Sequence, residues 1–250
     1  MHMARRVARG EPLAYVLGSQ PFGELDLVVR APVLIPRPET EEWALAAARM
    51  VAEDAARGPV HVLDLCTGSG CIALLIAHRL RQARVPWRVT AVDSEPAAVA
   101  LAAENAARIG ARVGVRDGYV AGALAGGEVR ILQADVYSAA DMARVAALAG
   151  ARPTLVCNPP YIAAGDYVAL DDSVRLFEAR AALVGDAARP NEDGLAFYRR
   201  LAELVEGPLR VRRVIVEVGA GQAARVAALF RGRIWRDAWG VERVVSYEVE

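Results

Sequence analysis

Lysine is absent from this sequence: all 30 basic residues are arginine, and 30 acidic residues balance them to zero net charge. No global positive field therefore draws the chain onto nucleic acid, which leaves only a local patch as a route to it. Cysteine is scarce and odd in number. Cys66, Cys71 and Cys157 all lie in apolar segments, the usage expected of buried, reduced thiols in an intracellular protein. There is no C-x-x-C pair, and His2, His61 and His78 are scattered, so no metal is expected. No apolar run approaches the roughly 18–20 residues that span a bilayer. The opening "MHMARRVARGEP" lacks the apolar centre of a secretory signal. No membrane partner is expected.

What is present suits an α/β domain. The chain has 250 residues, 54% of them hydrophobic, enough to bury one substantial core. From Val60 onward, strand-like and helix-like segments alternate. "VHVLDL", "WRVTAVD", "EVRILQAD", "PTLVCN" and "RRVIVEVG" read as core strands, with "CIALLIAHRL", "EPAAVALAAENAARIG", "SAADMARVAALAG", "NEDGLAFYRRLAELVEG" and "GQAARVAALF" as helices between and after them. Such alternation predicts a mostly parallel sheet covered on both faces. The closing pair "GRIWRDA" and "VERVVSYEVE", separated by a short turn, predicts a hairpin whose last strand runs antiparallel. Before Val60, "LAYVLGSQPFGELDLVV" reads as strand, turn, strand, and "LIPRPETEEWALAAARMVAEDAAR" as a loop entering a helix. Residues 1–40 are therefore taken as a small appendage with a β-hairpin, and 41–250 as the main domain. The glycine-rich stretch "GYVAGALAGGE" is expected to be a surface loop.

Two glycine turns compete for a ligand. In "VLDLCTGSGCIALL" a strand ends at Asp64, the turn Cys66, Thr67, Gly68, Ser69 and Gly70 follows, and a helix starts at once. Glycine there lets backbone N–H groups and a helix N-terminus approach a ligand closely. Asp93 ends the next strand, where a carboxylate can accept from both hydroxyls of a ribose. Both residues fall at carboxyl ends of neighbouring strands, the ligand side of open α/β sheets. A dinucleotide fingerprint needs G-x-G-x-x-G, but Cys66 stands at its first glycine and Cys71-Ile72-Ala73 follow Gly70. S-adenosylmethionine (SAM) therefore fits this turn better than NAD. In "VIVEVGAGQAARV" the run Gly219-x-Gly221-x-x-Ala224 matches the relaxed dinucleotide pattern better. It comes late in the chain with no acidic strand end after it, and is read as close packing of helix on strand. Asp135, ending the third strand, would face the same crevice and can accept from an exocyclic amine, although it could also cap the following helix, for which Ser138 competes.

The decisive stretch is "LVCNPPYIAAGDY". Asn158, Pro159, Pro160 and Tyr161 follow a core strand, where two prolines can only stiffen a turn. The Asn158 side-chain oxygen and the Pro159 carbonyl then form two fixed acceptors, suited to grip both hydrogens of an NH₂ on a planar carbon. Tyr161 offers a flat face for stacking. Gripping both hydrogens aims the nitrogen lone pair at an electrophile and stabilises the charge that develops on alkylation. The pattern points to N-methylation of a planar NH₂.

"LAYVLGSQPF", "LIPRPETEEW", "DLCTGSGCIAL", "AVDSEPAAVALAAENA", "NPPYI", "RAALVGD", "DGLAFYRRL" and "EVGAGQ" occur in this order, and with them the chain resembles the HemK/PrmC family of protein-(glutamine-N5) methyltransferases over nearly its whole length. The resemblance implies a class I Rossmann-like SAM-dependent methyltransferase fold with a seven-stranded sheet. It also implies SAM as donor, S-adenosyl-L-homocysteine as product, and as substrate the glutamine of the Gly-Gly-Gln motif in a class 1 peptide-chain release factor. By position it implies that Cys66–Gly70 wrap the methionine and ribose, that Asp93 holds the ribose hydroxyls, and that Asp135 and Val136 border the adenine. Asn158 with Pro159 would bind the amide nitrogen and Tyr161 pack on its plane. Arg37, Pro38, Glu39 and Thr40 match a family motif placed near the cofactor.

Two departures stand out. Cys66 replaces a usual glycine, which is tolerable where its φ is negative. The family's helical front domain is represented only by its last few residues before "GEPLAYVLG". Methylation of an adenine or guanine exocyclic amine in DNA or RNA, and a non-catalytic SAM-binding protein, are the competing readings. Zero net charge and the absence of lysine weigh against the former, and the intact Asn158–Tyr161 run against the latter. A monomer in the bacterial cytoplasm or mitochondrial matrix, with no stable nucleic-acid partner, is expected.

Overall fold

The computed structural model describes residues 2–84, 86–116, 118–186 and 193–249. Helices α1 (His2–Val7) and α2 (Leu13–Leu17) lead into a two-stranded hairpin, β1 (Ser19–Phe22) and β2 (Leu25–Val28), and then into α3 (Pro38–Asp54). The alternating part follows as β3 (Val60–Leu65), α4 (Cys71–Ala83), β4 (Trp87–Asp93), α5 (Pro96–Arg108), β5 (Arg112–Arg116), β6 (Tyr119–Leu124), β7 (Gly127–Gln133), α6 (Ala139–Ala149) and β8 (Thr154–Cys157). Two short helices, α7 (Asp172–Arg175) and α8 (Arg180–Leu183), precede α9 (Ala196–Glu206), β9 (Arg213–Glu217), α10 (Ala223–Phe230), β10 (Arg233–Arg236) and β11 (Glu242–Glu248). The first two residues of the expected helix "NEDGLAFYRRLAELVEG" and the last residue of "VERVVSYEVE" lie outside the described residues.

The large sheet runs β10-β11-β9-β8-β3-β4-β7-β6-β5. Strands β9, β8, β3, β4 and β7 are mutually parallel, and β11 is antiparallel to both β9 and β10, as expected for the last strand. The sheet has nine strands rather than seven. The additions are β5 and β6, an antiparallel hairpin laid on the free edge of β7. The stretch 118–128, expected to be a surface loop, thus contributes a strand. Its glycines mark close packing: a Cβ on Gly127 would meet the Trp87 ring and carbonyl at 2.3 Å, and one on Gly122 would press on Ala111. Tyr119 and Ala121, two apart, are buried on one face, an alternation that the intervening small residues hide. A second correction falls at "LAYVL", which is the helix α2 rather than a strand. Pro12 stands at its start and Gly18, at φ 80°, closes it.

Side chains alternate between two cores, one on each face of the sheet. Val62 of β3, Val89 of β4 and Ile215 of β9 face a layer from α3, α4 and α5, which also takes in Phe22, Leu25 and Leu27 of the first hairpin. Leu63 and Leu65 of β3, with Val214 and Val216 of β9, face Met142 of α6, Tyr198 and Leu201 of α9 and Val226 of α10. Between β3 and β8 the strand order reverses, since β4 and β7 continue to one side and β9 to the other. A crevice opens at the carboxyl ends on either side of such a reversal, and it is there that open α/β sheets bind ligands. Asp64, Asp93, Asn158 and Glu217 all lie at the ends of the central strands there.

Candidate active site

A cavity of about 350 Å³ lies at this point, lined among others by Cys66, Gly68, Asp93, Asp135, Val136 and Asn158. Of the residues singled out in the sequence, these six and Pro160 face one space. Asp64, Thr67, Ser69 and Gly70 form the turn behind it, Pro159 and Tyr161 adjoin it, and Arg37–Thr40 lie outside its lining.

The turn is built around Asp64. Its side chain is fully buried, and Oδ2 accepts from the Thr67 hydroxyl at 2.6 Å and from the Ala73 amide at 3.2 Å. One of the unpaired donors at the start of α4 is thereby satisfied. Burial is the main cause that raises the Asp64 carboxyl to about 7, against the pull of those two donors. Oδ1 has no hydrogen-bond partner. Gly70, at φ 83°, precedes α4, and a Cβ there would press against Ala102. Asn105 of α5 ties the turn to the first hairpin: its Nδ2 donates to Ser69 O and Val28 O, and its Oδ1 accepts from Val28 N.

Cys66 has φ 60°, not the negative value under which a side chain is easily accommodated. A non-glycine residue in this region carries a cost of roughly 1–2 kcal/mol. Its thiol lies against that of Cys157, and all three cysteines are free.

Asp93 is held in place by backbone donors. Gly68 N donates to Oδ2 at 2.9 Å and Glu95 N to Oδ1 at 3.0 Å, so the carboxylate is aimed before any ligand arrives. Burial raises its pKa. Asp135 accepts from Tyr137 N, while Ser138 caps α6 by accepting from Asp141 N. The competition between Asp135 and Ser138 for that cap is thus decided for Ser138, and Asp135 remains on the cavity wall.

Asn158 extends from the tip of β8. Its Nδ2 donates to Thr40 Oγ1 at 3.2 Å. Thr40 in turn donates to Glu217 Oε2 at 2.7 Å, and Trp43 Nε1 donates to the same oxygen at 2.7 Å. Burial raises the Glu217 carboxyl, with the Thr40 and Trp43 hydrogen bonds opposing it. Tyr161 is fixed from behind: its carbonyl accepts from Gln222 Nε2 at 2.8 Å, and a Cβ on Gly219 would come within 2.9 Å of its ring. Burial lifts the Tyr161 hydroxyl to about 12. The next residue, Ile162, donates to Leu183 O and accepts from Gly185 N, which joins the proline turn to the segment "RAALVGD".

Two further segments line the cavity, one through Pro32, Val33 and Leu34 and the other through Ala179, Ala181 and Ala182. Arg37 Nη2 donates to both carboxylate oxygens of the buried Glu178 at 2.7 Å, Ala179 N donates to Pro32 O, and the Tyr15 hydroxyl donates to Val33 O.

No family model matches the sequence. Among its relatives, a release factor glutamine methyltransferase of Geobacter sulfurreducens is 37% identical over 254 aligned positions, covering 98% of this chain and 75% of that protein. The probable MRF1 mitochondrial N(5)-glutamine methyltransferase mtq1 of Schizosaccharomyces pombe is 33% identical, over 92% of this chain and 71% of its own length. The chain belongs to the release factor glutamine methyltransferase family. The delta-N METTL16 MTase domain, at 16% identity and a TM-score of 0.54 over 96% of both chains, shares its fold.

In this family member, sequence reasoning missed Glu217, Gln222, Trp43, Asn105 and Glu178. A signal existed for Glu217. It is the one carboxylate in the buried strand "RVIVE", and it ends that strand as Asp93 ends β4. The glycine turn after it, set aside as helix packing, instead holds Tyr161 through Gly219 and Gln222. For Trp43, Asn105 and Glu178 no local pattern exists, since each acts through a partner more than thirty residues away.

Proposed function

We propose that this chain transfers a methyl group from SAM to the side-chain amide nitrogen of the glutamine in the Gly-Gly-Gln motif of a class 1 release factor. The observation that carries the reading is the position of Asn158 on the wall of the cavity. Its nitrogen is engaged behind by Thr40, which leaves Oδ1 for a ligand, and Asp93 and Gly68 stand on the same cavity.

The residues present fit SAM. Asp93 is a prepositioned acceptor for ribose hydroxyls, Gly68 keeps the turn open to close approach, and Asp135 with Val136 borders a space suited to adenine. When bound, the cofactor supplies an electrophilic methyl on a sulfonium.

The chemistry left to this chain is positioning. A carboxamide nitrogen is a weak nucleophile because its lone pair is delocalised into the carbonyl. Asn158 Oδ1 and the Pro159 carbonyl accept its two hydrogens, which turns the lone pair out of conjugation and toward the donor. As positive charge grows on nitrogen those two acceptors bind it more tightly, so the stabilisation is greater in the transition state than in the ground state. Tyr161, held by Gly219 and Gln222, packs on the amide plane and limits its rotation. No covalent intermediate on the protein is needed.

The chain acts as a monomer in this reading, without a nucleic-acid or membrane partner, and no helix among the described residues is long and apolar enough to cross a membrane. Incubation with methyl-labelled SAM and a Gly-Gly-Gln release factor, beside DNA and RNA, tests the substrate. Label in the release factor is expected, and label in nucleic acid alone would refute the reading.

A further inference from the structure

An asparagine side chain has two ends of nearly equal shape, one a carbonyl acceptor and the other a double donor. Rotation by a half-turn exchanges them. The reaction proposed above needs the oxygen toward the substrate, because the nitrogen would set two donors against two donors. Something must select the orientation, and packing alone cannot.

The hydrogen-bond chain behind Asn158 has a direction. An indole N–H only donates, so the oxygen it meets must accept. Trp43 Nε1 and Thr40 Oγ1 both donate to Glu217 Oε2 at 2.7 Å. The single hydroxyl proton of Thr40 is therefore committed to Glu217, and Thr40 has only lone pairs to offer Asn158. It meets Asn158 at 3.2 Å and accepts from Nδ2. The opposite amide orientation would set two acceptors face to face. Thr40 is 1% exposed, Glu217 2% and Trp43 4%, so water cannot substitute for either link to Glu217.

We infer that Glu217 and Thr40 are positioning residues that fix the amide of Asn158, so that its oxygen faces the nitrogen to be methylated. This rests on the glutamine-methylation reading for its catalytic consequence, but the orientation itself can be measured without turnover.

The test compares wild type with Thr40→Val, which keeps the shape and removes the hydroxyl, and with Thr40→Ser, which restores it. Two readouts are taken: methyl transfer to a Gly-Gly-Gln release factor, and hydrogen exchange of the Asn158 side-chain NH₂ by NMR, its resonance identified by its loss in Asn158→Asp. In Thr40→Val, kcat should fall ~10- to ~100-fold while the release factor KM and SAM affinity stay within about threefold, and Thr40→Ser should recover to within about threefold of wild type. The NH₂ should be protected in wild type and Thr40→Ser and exposed in Thr40→Val. Unchanged kcat in Thr40→Val would overturn the inference. So would a parallel loss of kcat, SAM affinity and thermal stability that serine does not rescue. If wild type fails to methylate the release factor, the substrate reading falls and the NMR readout decides alone: protection lost only in the valine variant supports the relay, and equal protection in all three refutes it.

Discussion

Replacing Asn158 by alanine separates chemistry from cofactor binding. The substitution removes Oδ1, one of the two acceptors assigned to the substrate NH₂, and leaves Thr40 Oγ1 without its donor. The backbone should not move, because Pro159 and Pro160 fix their own φ angles. Ile162 is also held by main-chain hydrogen bonds to Leu183 and Gly185. Loss of one preorganised contact to a developing charge is worth about 2.7–4 kcal/mol, or about 10²–10³ in rate. SAM affinity should change by no more than about threefold, since Asp93 and the turn beside Gly68 are untouched. Single-turnover methyl transfer to a Gly-Gly-Gln release factor measures the first quantity, and calorimetry with S-adenosyl-L-homocysteine the second. Turnover near wild type would refute the assignment of Asn158, and a parallel collapse of cofactor affinity would show that it belongs to the cofactor site instead.

Asp93→Ala should do the reverse, weakening SAM binding at least ~10-fold, equivalent to about 1.4 kcal/mol, and calorimetric affinity equal to wild type would contradict the ribose role. Gly219→Ala places a Cβ within 2.9 Å of the Tyr161 ring and 2.7 Å of Gln222 Oε1. Overpacking of this kind costs about 1–3 kcal/mol, and release factor KM and kcat should suffer while SAM affinity holds, so unchanged kinetics would remove Tyr161 from the site. Asp64 is raised from 3.8 to about 7, chiefly by burial. The stability it lends when protonated is complete below the unfolded value and lost as pH rises through the folded one. Without cofactor, the melting temperature of wild type should therefore fall more steeply than that of Asp64→Asn across that window, and parallel curves would refute the shift.

The parallel core was legible because its signals are local. "VHVLDL", "WRVTAVD" and "PTLVCN" are short apolar runs with a polar residue at the carboxyl end, and the structure sets those ends side by side. The hairpin β5–β6 was not legible, because its glycines imitate a loop and their reason for being small, Trp87 and Ala111, lies elsewhere in the chain. Helix α2 was misread for the opposite reason: β-branched and aromatic residues suggested a strand, but Pro12 and Gly18 bound a single turn. At the site, Asp93 and Asn158 declared themselves as polar strand ends. Arg37 and Thr40 were assigned near the cofactor from a motif; the side chains they meet, Glu178 for Arg37 and Glu217 and Asn158 for Thr40, are each more than a hundred residues distant. Such pairings depend on tertiary structure and leave no local pattern in the chain.

The most direct measurement of the central claim is fragmentation mass spectrometry of a release factor after incubation with this protein and SAM. The account predicts one added methyl on the Gly-Gly-Gln peptide, carried by the glutamine side-chain nitrogen and absent from the Asn158→Ala reaction. A methyl on any other residue, or none while DNA or RNA in the same reaction gains it on an exocyclic amine, would contradict the account.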